Sequence, residues 1–242
     1  MPSPRRIQVA GHRGAMAHAP ENTALSLVMA EQLGVDEIEL DVRVSADGVA
    51  VLSRDDDLSR VLGVDVAPTV SVTAWCDLQN LRLPRGQRLL TLPEALELTR
   101  SNLQLELKSP QAVPIAAQVL ADFADEVRRC SFTSFDVSRL IMARELLPDV
   151  PRGVIADAYD PTLAARARAA QAAWIYSGWN GLTPDVIAAL HQQGCRIGVW
   201  PLCTAEDAER AYRLGVDKIT ADAPGEAREW LEAAEADLGA RP

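Results

Sequence analysis

The chain reads as a parallel (β/α)8 barrel, and three observations lead there. Short runs of β character alternate with amphipathic helical stretches from end to end, eight of each. Successive strand-like runs lie mostly about 20–30 residues apart, the length of one β–α unit. No GxGxxG follows the first run, which disfavours the alternative, an open doubly wound sheet.

The first strand is expected over Ile7–His12, an apolar run that ends in Gly11-His12-Arg13-Gly14. Pro20-Glu21-Asn22-Thr23 opens the first helix, with Asn22 or Thr23 as its cap and Glu21 beside its positive end. The second strand, Glu37–Val42, is apolar on one face and acidic on the other. Asp47-Gly48 then turns the chain into a hairpin strand over Val49–Ser53, and Thr73–Leu81 reads as a short helical piece. This segment, from Val42 to Leu103, is too short for a separate domain, so residues 1–242 read as one domain. A helix opens near Leu92 with Pro93 in its first turn. Strands follow at Leu103–Leu107, Cys130–Phe135, Gly153–Ala156, Trp174–Ser177, Arg196–Leu202 and Lys218–Ala221. Their helices open near Ala112, Val137, Pro161, Pro184, Ala205 and Gly225, with Asp160, Thr183 and Thr204 as candidate caps. The tail after Leu238 is expected to fray.

Composition narrows the function. Of 242 residues, 48% are hydrophobic, enough for a sizeable core. A net charge of −10, from 24 basic and 34 acidic residues, argues against a nucleic-acid or membrane-surface binder. The four cysteines show no CxxC pairing, which fits free thiols in a reducing compartment. Met1–Arg6 is short and basic but leads into no signal-peptide core, and no run approaches the length of a membrane span. The expectation is a soluble cytoplasmic protein, its oligomeric state left open.

In a barrel the functional groups stand at the C-terminal ends of the strands. His12, Arg13, Glu39, Asp41, Glu106, Lys108, Ser134, Phe135, Trp200 and Asp222 all fall there. Glu39 and Asp41 share one strand face, so their like charges repel unless something positive sits between them. Glu106, on the next barrel strand, completes an all-oxygen set that suits Mg2+ or Ca2+ better than zinc. The structural alternative is ion pairing with Arg13, Arg43 or Lys108 alone. Arg13 and Lys108 are natural phosphate partners, a fork and a point charge. His12 is a candidate acid or base, with His18 in the same loop. His191 falls in a helix, at the surface. Trp200 offers an apolar wall for the organic end of a substrate or, equally, a core residue. The Ser134-Phe135 pair carries the same ambiguity.

Read in order, these pieces resemble the glycerophosphodiester phosphodiesterase family. Gly11-His12-Arg13-Gly14, Pro20-Glu21-Asn22-Thr23, Ile38-Glu39-Leu40-Asp41-Val42, Asp47-Gly48, Leu105-Glu106-Leu107-Lys108, Ser134-Phe135, Val199-Trp200 and Asp222-Ala223-Pro224 follow the family pattern along nearly the whole chain. The resemblance implies a barrel that hydrolyses glycerophosphodiesters to an alcohol and glycerol 3-phosphate with a divalent cation. By the same resemblance Glu39, Asp41 and Glu106 are the metal ligands, His12 an acid/base residue, and Arg13 and Lys108 hold phosphate. The chain departs from the pattern after the hairpin. Asp55, Leu58 and Arg60 fix the register there and put Arg54 where the family carries a second catalytic histidine. Arginine stays protonated and cannot shuttle a proton. Ala221 and Cys203 also stand where a threonine and an asparagine are usual. Slowed or altered catalysis, or a binding protein that has lost catalysis, are the two outcomes this departure implies.

Overall fold

Alternation along the strands sorts side chains into two populations. On the strand from Glu37 to Val44, Ile38, Leu40 and Val42 are fully buried in the main apolar core, while Glu39 and Asp41 turn to the opposite face. The same division recurs around a closed barrel. The computed structural model describes residues 6–239. Its strands are β1 (Gln8–Gly11), β2 (Glu37–Val44), β3 (Ala50–Leu52), β4 (Asn102–Leu107), β5 (Cys130–Ser134), β6 (Arg152–Ala156), β7 (Trp174–Ser177), β8 (Arg196–Val199) and β9 (Lys218–Ala221). Eight of them pair in parallel in the order β1-β9-β8-β7-β6-β5-β4-β2, and pairing of β1 with β2 closes the ring. The ninth, β3, runs antiparallel to the end of β2 (Val42 opposite Leu52), as the hairpin signal predicts.

The helices are α1 (Ala24–Gln32), α2 (Ser59–Leu62), α3 (Trp75–Leu78), α4 (Leu92–Leu98), α5 (Ala112–Asp122), α6 (Val137–Leu146), α7 (Thr162–Ala170), α8 (Pro184–Gln192), α9 (Ala205–Leu214) and α10 (Pro224–Gly239). Eight pack outside the barrel and start within about two residues of where their caps and prolines predict. Thr91 with Glu94, and Thr204 with Asp207, form reciprocal capping boxes. Thr183 caps α8. The one-turn helix α2 went unpredicted, and α3 is shorter than the expected Thr73–Leu81 piece. Both belong to the segment after β3, which folds over a small core of its own made by Val51, Leu58, Val70, Leu78, Leu83 and Leu89. That core comes from residues scattered along the segment, so no helical period announces it. The residues beyond α10, including the end of the tail expected to fray, lie outside the described residues.

The floor of the barrel is polar and aromatic. Tyr176 stacks on Trp174 and slots between Gly153 and Gly198, where a Cβ at either glycine would come within 2.5 Å of the tyrosine ring. Lys218 sits 4.3 Å from the Trp174 ring centroid and pairs with the buried Glu37. Among the described residues no helix is long and apolar enough to cross a membrane. Cys76 and Cys203 are exposed, and Cys130 and Cys195 are buried; all four are free thiols.

Candidate active site

Parallel pairing of β2 with β4 sets Asp41 directly beside Glu106, and Glu39 lies two residues back on the same face. Carboxylate oxygens of the three come within 4.8 Å of one another. All three are buried: Glu39 is 4%, Asp41 1% and Glu106 9% exposed. Burial, then the charges of Asp41 and Glu106, push Glu39 well above the usual carboxylate range. Burial raises Glu106 too, against the opposing pull of Lys108.

Two cations stand among these three acids. Lys108 Nζ donates to Glu106 Oε1 at 2.7 Å and lies 3.3 Å from Asp41 Oδ1. Burial alone would lower the lysine, but Asp41 and Glu106 outweigh it and hold the ammonium above its ordinary value. Arg13 has a left-handed backbone (φ 51°), so its N–H donates to Glu39 Oε2 at 3.0 Å while its side chain turns toward Asp41. Gly14 makes this turn possible, since a Cβ there would lie 2.3 Å from Ser26 Oγ. Arg13 Nε is 3.1 Å from Asp41 Oδ2, yet this buried N–H makes no hydrogen bond among the described residues. The sequence offered phosphate binding or charge neutralisation for Arg13 and Lys108. In the structure both are engaged with the carboxylates.

His12 sits at the mouth, at the end of β1. Its Nδ1 is 2.6 Å from Asp222 Oδ1, and its Nε2 is 4.0 Å from Glu39 Oε2. The hydrogen bond from His12 holds Asp222 below the usual carboxylate range, so Asp222 is ionised and Nδ1 carries the proton. That leaves Nε2 for chemistry.

All of these groups except Asp41 and Asp222 line one cavity of about 150 Å³. His12, Arg13, Glu39, Glu106 and Lys108 form its polar side, and Phe135, Ile155, Tyr176 and Trp200 its apolar side. Phe135 and Trp200 meet edge to face, centroids 6.0 Å apart. Trp200 Nε1 and Gln104 Oε1 are buried on this cavity with no hydrogen-bond partner among the described residues, a donor and an acceptor left for a polar guest. Arg54 and Asp157 stand at its rim, and Arg54 pairs with Asp55 at 3.1 Å.

His18 does not join this cavity. It lines a neighbouring one of about 330 Å³ and pairs with Glu226 at 3.1 Å. His191 pairs with Asp217 from α8. Ser134 is buried, and its hydroxyl donates to the Leu107 carbonyl. Asn22 and Glu21, both read at the start of the first helix, complete the site. Asn22, read there as a possible cap, leaves the capping to Thr23; with φ 55° its amide donates to Asp41 Oδ2 at 3.0 Å. Glu21 accepts from Arg13 and from Arg60 of α2. The Asx signal of Asn22 fits both roles, and the Glu21–Arg60 contact spans 39 residues.

The donor set fits a hard divalent cation. Three buried carboxyl groups face two cations, one positive group fewer than acidic ones. Glu39, Asp41 and Glu106 are the residues that could hold such an ion.

Known proteins share this architecture. The Bacillus subtilis (strain 168) protein YhdW is 28% identical over 232 residues, 90% of this chain and 95% of that protein. A glycerophosphodiester phosphodiesterase of Caldanaerobacter subterraneus subsp. tengcongensis is 25% identical over 229 residues, covering 89% of this chain and 94% of that one. An Oleispira antarctica phosphodiesterase, solved in complex with its product sn-glycerol-3-phosphate, superposes with a TM-score of 0.86 at 26% identity over 93% of this chain and 96% of that one. A model of the glycerophosphoryl diester phosphodiesterase family matches residues 12–226, a span that holds β2 to β9 and every carboxylate of the cluster. The chain belongs to that family.

Proposed function

We propose that this chain, acting as one domain over residues 1–242, hydrolyses glycerophosphodiesters to an alcohol and glycerol 3-phosphate. In this reading Glu39, Asp41 and Glu106 hold a divalent cation, Mg2+ or Ca2+. The observation that carries it is the convergence of three buried carboxylates beside Lys108, Arg13 and His12, in a member of this family. A bound cation would act as a Lewis acid on a phosphoryl oxygen. Arg13 and Lys108 turn from the carboxylates to the phosphate when substrate enters, fork and point charge together. His12 takes a proton from the attacking water at Nε2, with Asp222 holding the ring and stabilising its positive form. Trp200 and Phe135 wall the organic end of the substrate. Arg54 replaces the second histidine of the family pattern. It stabilises charge on the departing oxygen and supplies no proton, so alcohols that leave easily are favoured.

Arg54 is also the observation that favours a second reading, a phosphodiester- or metal-binding protein without turnover. One assay separates the two. With Mg2+ or Ca2+ and a panel of glycerophosphodiesters, the first reading requires cation-dependent release of glycerol 3-phosphate that Glu39→Ala suppresses. Binding of an intact diester in a calorimeter, with no release above background, leaves the second.

A further inference from the structure

The two arginines that line the cavity are joined by a chain of alternating charges that runs outside it. Arg54 Nη1 lies 3.1 Å from Asp55 Oδ1. Asp55 Oδ2 accepts from Arg60 Nε at 2.6 Å. Arg60 Nη1 and Nη2 donate to both oxygens of Glu21, at 2.8 and 2.6 Å. Glu21 Oε1 in turn accepts from Arg13 Nη1 at 3.2 Å. All three nitrogens of Arg60 are committed, and the residue lines the neighbouring cavity instead of the one that holds His12.

We propose that Arg60 is a positioning residue: by clamping Glu21 and Asp55 at once, it sets where Arg13 and Arg54 present their guanidinium groups to the phosphodiester. The inference rests on the catalytic reading above. The backbone of Arg13 is pinned, its N–H by Glu39 and its carbonyl by the Ser26 hydroxyl. The end of its long side chain has one hydrogen-bond acceptor among the described residues, Glu21. Glu21 is 10% exposed at the side chain and, among the described residues, pairs with no cation besides Arg13 and Arg60. Arg60 stands on α2 and reaches Glu21, at the start of the first helix, across 39 residues of sequence. A planar fork fixes direction as well as charge, which an ammonium cannot do. Arg60 is 46% exposed, and exposed ion pairs add little to stability, so its removal should show in ligand binding and leave folding nearly untouched.

The test uses the full chain and sn-glycerol 3-phosphate as the probe, titrated by calorimetry in Mg2+, with KM, kcat and the unfolding midpoint measured alongside. Misaimed binding groups cost about tenfold or more, so Arg60→Met should weaken the probe's affinity by that factor and raise KM in parallel, with the unfolding midpoint within ~2 °C of wild type. Arg60→Lys should fail to rescue, and Glu21→Gln, which keeps the side-chain shape, should reproduce the loss. In an Arg13→Met/Arg54→Met background, adding Arg60→Met should cost less than about twofold more, because coupled residues are not additive. Affinity within about twofold of wild type in Arg60→Met, or an undiminished loss in that background, would overturn the proposal. A wild-type chain that neither binds the probe nor releases it from any diester fails the catalytic reading itself, and this inference with it.

Discussion

Replacing Lys108 with methionine separates a cation site from a self-contained salt-bridge network. The ammonium lies 2.7 Å from Glu106 and 3.3 Å from Asp41, and its side chain is only 17% exposed. At an effective dielectric constant of about 20, each contact is worth roughly 5–6 kcal/mol before desolvation. Desolvation cancels much of that, and removing one partner of a buried pair costs about 3–5 kcal/mol net. Arg13 still faces Asp41, so the low end, ~3 kcal/mol, is the expected loss. At this chain length each kcal/mol moves the midpoint by about 2–4 °C, so Lys108→Met in a chelator should melt ~6–12 °C below wild type. A divalent cation restores the missing positive charge. At about 100 times its dissociation constant it adds about 2.7 kcal/mol, and the variant, with its carboxylates unpaired, should bind it more tightly than wild type does. Melting curves by circular dichroism in EDTA and in millimolar Mg2+ or Ca2+ should show the gap shrink to less than half. A gap of equal size in both buffers would refute the reasoning, because the carboxylates would then have no use for a second cation.

Three further outcomes follow from the same site. Glu39 titrates well above its ordinary value of 4.5 when folded, so between that value and its folded one the native state holds the extra proton; stability of the chelated protein should fall as pH rises through this window, and Glu39→Gln should flatten the profile. If only protonation of the leaving group is missing, bis(4-nitrophenyl) phosphate should be cleaved far better than glycerophosphocholine. Arg54→His should narrow that ratio, and an unchanged ratio would remove Arg54 from the role. Loss of a positioned acid or base costs about 10²–10⁴-fold, so His12→Ala should lower kcat by that range, with a smaller loss for Asp222→Asn. Equal activity in His12→Ala would show that Nε2 moves no proton.

The barrel was legible because most strands are short apolar runs and several helices open on a recognisable cap or proline. The carboxylate cluster was legible for a related reason. Glu39 and Asp41 interrupt a buried strand on one face, and β4 repeats the pattern with Glu106 and Lys108. Glu37 shares that face and was passed over, since only the fold shows that Lys218, 181 residues away, neutralises it at the floor. What stayed hidden depends on contacts between distant segments. Asn22 looks like a helix cap until the left-handed turn carries its amide to Asp41. Arg60 belongs to a single helical turn with no periodicity, and its partner Glu21 precedes it by 39 residues. His18 lies close to His12 in sequence, yet the loop carries it into the next cavity, against Glu226.

The proposed function requires that Glu39, Asp41 and Glu106 bind one divalent ion. Calorimetric titration of the chelated wild-type chain with Mg2+ and with Ca2+ tests it without reference to turnover. Binding should saturate at one ion per chain and weaken at least tenfold in Glu106→Gln, since a hard cation's affinity follows the charge of its oxygen ligands. Heats that never saturate, or a dissociation constant untouched by Glu106→Gln, would contradict it.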